Sequence, residues 1–171
     1  MRKLIHEEVV NRQKDRNKQP RLPFTVVLNN IRSLYNVGAL FRSADVFGVK
    51  KIYLCGWTGF PPRKEISKTA LGAEEWVLWE RHWQTHLLIK KLKKQGVRIA
   101  VLETGKKAKP LPEYRPKFPL ALVVGSETKG VSKKILALAD DIIQIPMRGK
   151  KESLNVAVAA AIALYGLRVV K

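Results

Sequence analysis

The sequence specifies a three-layer α/β domain built on a mostly parallel sheet, and three observations lead there. Short runs of apolar, β-branched residues recur along the chain, at 24–28, 52–54, 98–102, 120–124 and 142–145. Patterns with the three-to-four spacing of a helix lie between them. The strand-like runs are apolar throughout instead of alternating, as expected when helices cover both faces of a parallel sheet.

In chain order, residues 1–22 read as a basic N-terminal arm or helix preceding Pro23. After the first strand, 36–47 places Val37, Leu40, Phe41, Ala44 and Phe47 on one helix face, with Gly48 as terminator and Asn36 as its cap. The segment 55–83 is an insert holding all four tryptophans, Trp57, Trp76, Trp79 and Trp83, and opening on the turn Gly59-Phe60-Pro61-Pro62. The helix 86–95 carries Leu87, Leu88 and Leu92 on one side, lysines on the other, and ends at Gly96. Residues 103–119 form a proline-rich connection, 132–139 a short helix, and 156–167 an alanine-rich helix. Small or apolar residues nearly all round that last helix predict close packing on several sides, and Ser153 is its expected cap. The whole, residues 1–171, reads as one domain.

Composition narrows the function. The chain has 171 residues, with 33 Lys+Arg against 14 Asp+Glu and a net charge of +19. So strong a positive field suits a polyanion, nucleic acid above all. Apolar residues make up 46% of the chain, enough for a core, which excludes a disordered basic tail for most of it. Cys55 is the lone cysteine, which excludes a disulfide scaffold and reads as a buried thiol. The longest apolar run, 156–164, is too short for a membrane span, and the first residues hold no apolar signal core. The expected location is the cytoplasm, with no membrane partner.

Three segments carry chemistry. In Gly125-Ser126-Glu127-Thr128-Lys129-Gly130-Val131-Ser132 a strand leads through a glycine-flanked loop to a helix. It is not a P-loop, since Val131 stands where the lysine belongs and Glu127 puts a carboxylate where phosphate would sit. A neutral or cationic ligand held by backbone groups and a plain strand-to-helix turn both remain open. In the segment from Leu28 to Arg42, Arg42 follows Gly38 by one helical turn, and the missing side chain at Gly38 predicts open space beside the guanidinium; a surface pair with Asp45 is the alternative. After the last strand, Pro146 and Gly149 bend the chain towards Ser153 and Asn155, the latter an unexpected residue for a buried first turn. His6, His82 and His86 are the only histidines; the last two have helical spacing but lack the glutamate of a zinc-protease helix, so no metal site is expected.

Taken together the three segments resemble the SpoU (TrmH-like) family of SPOUT RNA methyltransferases over residues 24–170. Asn36-Val37-Gly38-Ala39-Leu40-Phe41-Arg42-Ser43-Ala44-Asp45 is similar to its first motif, Leu122 through Ser132 to its second, and Ile145-Pro146-Met147 through Ser153-Leu154-Asn155-Val156-Ala157 to its third. The resemblance implies methyl transfer from S-adenosylmethionine to a ribose 2′-hydroxyl of tRNA or rRNA, a C-terminal deep trefoil knot, and a homodimer with the site near the subunit interface. It implies that Arg42 is essential, that Asn36 binds RNA or orients Arg42, and that Glu127, Ser153 and Asn155 shape the site around the ribose and the methyl donor. It implies donor contacts from Leu102, Glu103, Thr104, Gly125, Ile145, Met147 and Leu154. The tryptophan-bearing insert belongs to none of the three motifs; packing against the knot or a second subunit is its expected role, ahead of base stacking. Two alternatives stand beside the main reading: an RNA-binding protein of this fold without catalysis, and a SPOUT methyltransferase acting on an RNA base.

Overall fold

Side chains on β1 (Phe24–Asn29) bury towards both sides: Phe24, Val26 and Leu28 join one hydrophobic core and Val27 joins another. Such two-sided burial runs through the computed structural model, which describes residues 23–126 and 128–169. The expected arm over 1–22 and the candidate Glu127 lie outside the described residues. After β1 come α1 (Leu34–Val46), β2 (Lys51–Cys55), α2 (Lys64–Ala70), α3 (Ala73–Trp76), β3 (Leu78–His82), α4 (Thr85–Lys94) and β4 (Arg98–Leu102). The two-residue β5 (Lys109–Pro110), a 3-10 turn at Leu111–Glu113, β6 (Leu120–Val124), α5 (Lys133–Leu136), β7 (Asp141–Gln144) and α6 (Val156–Val169) complete the order.

The strands form one sheet, ordered β3-β2-β1-β6-β4-β7-β5, and every pairing is parallel. Helices α1, α2, α3 and α6 pack on one face through Val37, Phe41, Ile66, Ala73, Ala160 and Leu164. Helices α4 and α5 cover the other through Leu88, Ile89, Leu92 and Ile135, against Val27, Ile99, Val101 and Val123. This is the expected three-layer arrangement.

Several local expectations are corrected. The insert 55–83 contains α2, α3 and the edge strand β3, whose exposed residues conceal it from an apolar scan. His82 lies in β3 and His86 in α4, so their helical spacing is accidental. Gly38 leaves no open space: a Cβ there would run into Thr69 Oγ1 and the Ile66 carbonyl oxygen of α2. The absent side chain lets two helices touch, and Thr69 fills the gap by donating its hydroxyl to the Tyr35 carbonyl at 2.8 Å. Ser33, not Asn36, caps α1, accepting from the Asn36 N–H at 3.3 Å. Asn155, not Ser153, caps α6, its Oδ1 accepting from the N–H groups of Ala157 (2.9 Å) and Val158 (3.3 Å). That resolves the odd residue of the third motif. Helix α6 packs closely through Val156, Ala157, Ala160, Ala163, Leu164 and Leu167, as expected, and leaves Val158, Ile162 and Tyr165 exposed.

At the other sheet margin, buried Asp141 of β7 ties together three segments. It accepts from Arg98 Nε at 2.7 Å, Lys109 Nζ at 3.0 Å and the Tyr114 hydroxyl at 3.0 Å. Burial alone would raise its pKa, but the bonds from Arg98, Lys109 and Tyr114 outweigh it and hold the carboxyl down at about 2. The unfolded value is about 3.9. The ionised group therefore contributes stability in full above about pH 5 and loses it as pH falls towards 2, in all about 2 kcal/mol after allowance for the half-exposed cations. Asp141→Asn is expected to remove that share at neutral pH and to flatten the acid limb between pH 5 and 2 in urea unfolding. Equal slopes for variant and parent would contradict it.

Candidate active site at the carboxyl ends of the central strands

Parallel strands deliver their following loops to the same edge of the sheet, so ligand sites form at the carboxyl ends. Here β6, β4 and β7 are adjacent, and a cavity of about 370 Å³ lies across their ends. Leu102, Glu103 and Thr104 enter it from the end of β4, Gly125 from the end of β6, Ile145 and Met147 from beyond β7, and Leu154 with Ser153 from the approach to α6. The positions singled out in three separate segments thus line one wall system. Sequence reading missed Gln144 and Ala159, which also line it, and gave no role to Glu152 within the third motif; Ala159 enters only because α6 packs across the strand ends.

Backbone economy explains the cavity's shape. Gly130 closes back on Ser126, its N–H donating to the Ser126 carbonyl at 2.8 Å while the Lys129 N–H donates to Ser126 Oγ at 3.2 Å. It folds directly over Gly125: a Cβ there would sit 2.5 Å from the Gly130 carbonyl carbon and 2.6 Å from its oxygen. Glu103 buckles two walls together, its carboxylate accepting from the Val131 N–H at 2.9 Å and from its own neighbour Thr104 N–H at 3.0 Å. Gly130, at φ 58°, has the backbone freedom to pass against that carboxylate. The cavity lies in the size range of small-molecule sites and combines an apolar wall (Leu102, Val124, Ile145, Leu154, Val156) with a few hydroxyl and carboxylate groups. That lining suits a flat heterocycle joined to a polar and cationic portion.

Asn155 links this cavity region to α1, its Nδ2 donating to Asn36 Oδ1 at 3.2 Å. Two further candidates are thereby joined. Arg42 is not: it lies exposed on α1, does not line this cavity, and makes no hydrogen bond or ion pair with another described residue. Tyr35 and Val46, 50% and 68% exposed, share its face of the helix. Cys55 is buried, and burial pushes its thiol up to about 12, which suits packing and not nucleophilic attack. No group of metal-ligating side chains occurs among the described residues, and none of their helices is long and apolar enough to cross a membrane.

A parallel α/β sheet with loops from three adjacent strands closing around a heterocycle-sized cavity defines a protein of the nucleotide-ligand type. The sequence model of the SpoU rRNA Methylase family matches residues 23–165, and the chain belongs to that family. It is 36% identical over 150 residues to the tRNA (guanosine(18)-2′-O)-methyltransferase of Thermus thermophilus, covering 88% of this chain and 75% of that one. The fold is similar to the crystal structure of the A. aeolicus TrmH/SpoU tRNA modifying enzyme, with a TM-score of 0.82, 29% identity, and coverage of 96% of this chain and 83% of that one. It is also similar to an AdoMet-bound rRNA methyltransferase from Sinorhizobium meliloti (TM-score 0.80, 26% identity), covering 90% of this chain and 59% of the other.

Proposed function

We propose that this protein transfers a methyl group from S-adenosylmethionine to a ribose 2′-hydroxyl of tRNA or rRNA. The observation that supports this most is the single cavity across β4, β6 and β7, where Leu102, Glu103, Thr104, Gly125, Ile145, Met147 and Leu154 converge. In this reading they hold the donor, the apolar wall taking the adenine and the carboxylate and hydroxyl groups its polar portion. The donor supplies an electrophilic sulfonium methyl, so no metal is required of the protein. The chain's own task is to align a sugar oxygen and to stabilise charge developing on it. Arg42 is the group suited to the second part, its guanidinium offering a planar fork of donors to a developing negative charge. Asn36, Asn155, Ser153 and Glu127 set the ribose in position. The loops also carry exposed Lys106, Lys107, Arg148, Lys150 and Lys151, whose charge, with that of the basic residues among 1–22, supplies phosphate contacts.

The working form is a homodimer. Arg42 lies outside its own chain's cavity, on a face shared with exposed Tyr35 and Val46. Val158, Ile162 and Tyr165 form an exposed row on α6, and Tyr165 meets Phe47 at the end of α1 with ring centroids 6.2 Å apart. A second copy covering this joint apolar face brings Arg42 to the partner's cavity. A C-terminal trefoil knot and a single domain over 1–171 belong to the same proposal. A transfer assay with tritiated S-adenosylmethionine and purified tRNA and rRNA, followed by nucleoside analysis, tests it. Label in a 2′-O-methylated nucleoside is expected. Label on a base would replace this reading with a base methyltransferase, and RNA binding without label would replace it with a non-catalytic binder.

A further inference from the structure

A second cavity, of about 510 Å³, adjoins the first, and Ser126, Gly130 and Val156 line both. The topology places it. β1 and β6 are parallel neighbours, yet the connection after β1 leads to α1 on one face and that after β6 to α5 on the other. The two loops diverge and leave a crevice at the strand ends.

The lining has a specific chemistry. Trp57 lies in it with 65% of its surface exposed. Its backbone N–H donates to Asn30 Oδ1 at 3.0 Å, and Trp83 packs edge-on against its ring at 4.8 Å between centroids, so the exposed indole is held in place. Arg81 in turn lies 5.7 Å from the Trp83 ring. Arg32 from the β1–α1 loop and Lys129 from the β6–α5 loop put an exposed cation on each side of the crevice. Asn29, only 4% exposed, also lines it, its Oδ1 accepting from the Thr85 hydroxyl at 2.6 Å. A fixed aromatic plane between flanking cations, in a crevice sharing a wall with the donor cavity, matches an unstacked nucleotide of single-stranded or splayed RNA.

Resting on the methyltransferase reading above, we propose that this second cavity receives the target nucleotide, with Trp57 stacking on its base and Arg32 and Lys129 on the flanking phosphates. The ribose then faces the wall common to both cavities. Within the tryptophan-bearing insert, Trp57 is thereby assigned to the substrate, while Trp79 packs against the core.

The test is steady-state methylation of RNA with Trp57→Ala, Trp57→Phe, the double variant Arg32→Ala/Lys129→Ala, and Trp76→Ala, each with the dissociation constant for S-adenosylmethionine measured separately. Trp57→Ala is expected to raise the KM for RNA about tenfold, Trp57→Phe to restore most of the loss, and both to leave donor affinity unchanged. The double variant should weaken the dependence of log KM on log salt by about 0.7 for each phosphate that is no longer neutralised. Trp76, 71% exposed but lining neither cavity, serves as the control and should change nothing. An unchanged KM for Trp57→Ala overturns the proposal. Should the parent protein methylate no RNA, the methyltransferase reading fails by itself, and the cavity is then tested alone by tryptophan quenching with AMP, CMP, GMP and UMP. Saturable quenching that disappears in Trp57→Ala supports the nucleotide site, and its absence from the parent overturns it.

Discussion

Arg42→Ala is expected to lower methyl transfer by about 10³-fold while leaving affinity for S-adenosylmethionine within twofold and thermal stability unchanged. The side chain is exposed and contacts no described residue through a hydrogen bond or ion pair, so its removal should cost no more than about 0.5 kcal/mol of stability. Diminished activity then reports chemistry and not folding. Arg42→Lys should recover little, because a point charge on a flexible stem does not reproduce a planar fork of donors. Loss of donor binding in Arg42→Ala would show that the residue has been assigned to the wrong half of the reaction.

Gly125→Ala is expected to weaken S-adenosylmethionine binding about 10- to 100-fold, measured by calorimetry, with a lowered melting temperature. The new Cβ would lie 2.5 Å from the Gly130 carbonyl carbon and 2.6 Å from Val131 Cγ2. Neither neighbour is the flexible end of a long side chain, so Gly130 and Val131 must move outward, at the roughly 1–3 kcal/mol typical of overpacking. That movement pulls Val131 N–H from Glu103 and opens the wall that the two loops share. Unaltered donor affinity would mean that the cavity across β4, β6 and β7 is not where the donor lies. The two variants also test the dimer. Mixed in equal amounts after dissociation and assayed at a donor concentration near the parental Kd, where neither variant alone transfers appreciably, the two proteins should recover about a quarter of parental activity if Arg42 serves the partner's cavity. Half of the dimers are then mixed and each holds one intact site. Action within one chain predicts no recovery.

How far the site could be read in the sequence depended on what each residue contacts. The strands 98–102 and 120–124 were legible to the residue, because burial on both faces leaves an unbroken apolar run, 99–102 after Arg98 and the whole of 120–124. β3 was not, since an edge strand with exposed Leu78, Glu80 and Arg81 carries no such signal. The caps were misassigned at both helices: Asn36 and Ser153 are chemically sound caps, and Ser33 and Asn155 take the role because the chain turns helical at Leu34 and Val156. Gly38 was read as making room for a guanidinium when it makes room for α2, a neighbour that local spacing cannot reveal.

The layer plan, the polyanion-seeking charge and the family are all legible in one dimension, because burial period, net charge and motif order are properties of the chain itself. Which loops meet is a matter of three dimensions. The order β1-β6-β4-β7 sets the ends of strands up to about 95 residues apart side by side, and from that adjacency come both the donor-sized cavity and the crevice beside Trp57. Contact across such separations is fixed by strand pairing and helix packing, not by any local preference of the residues that end up facing one another.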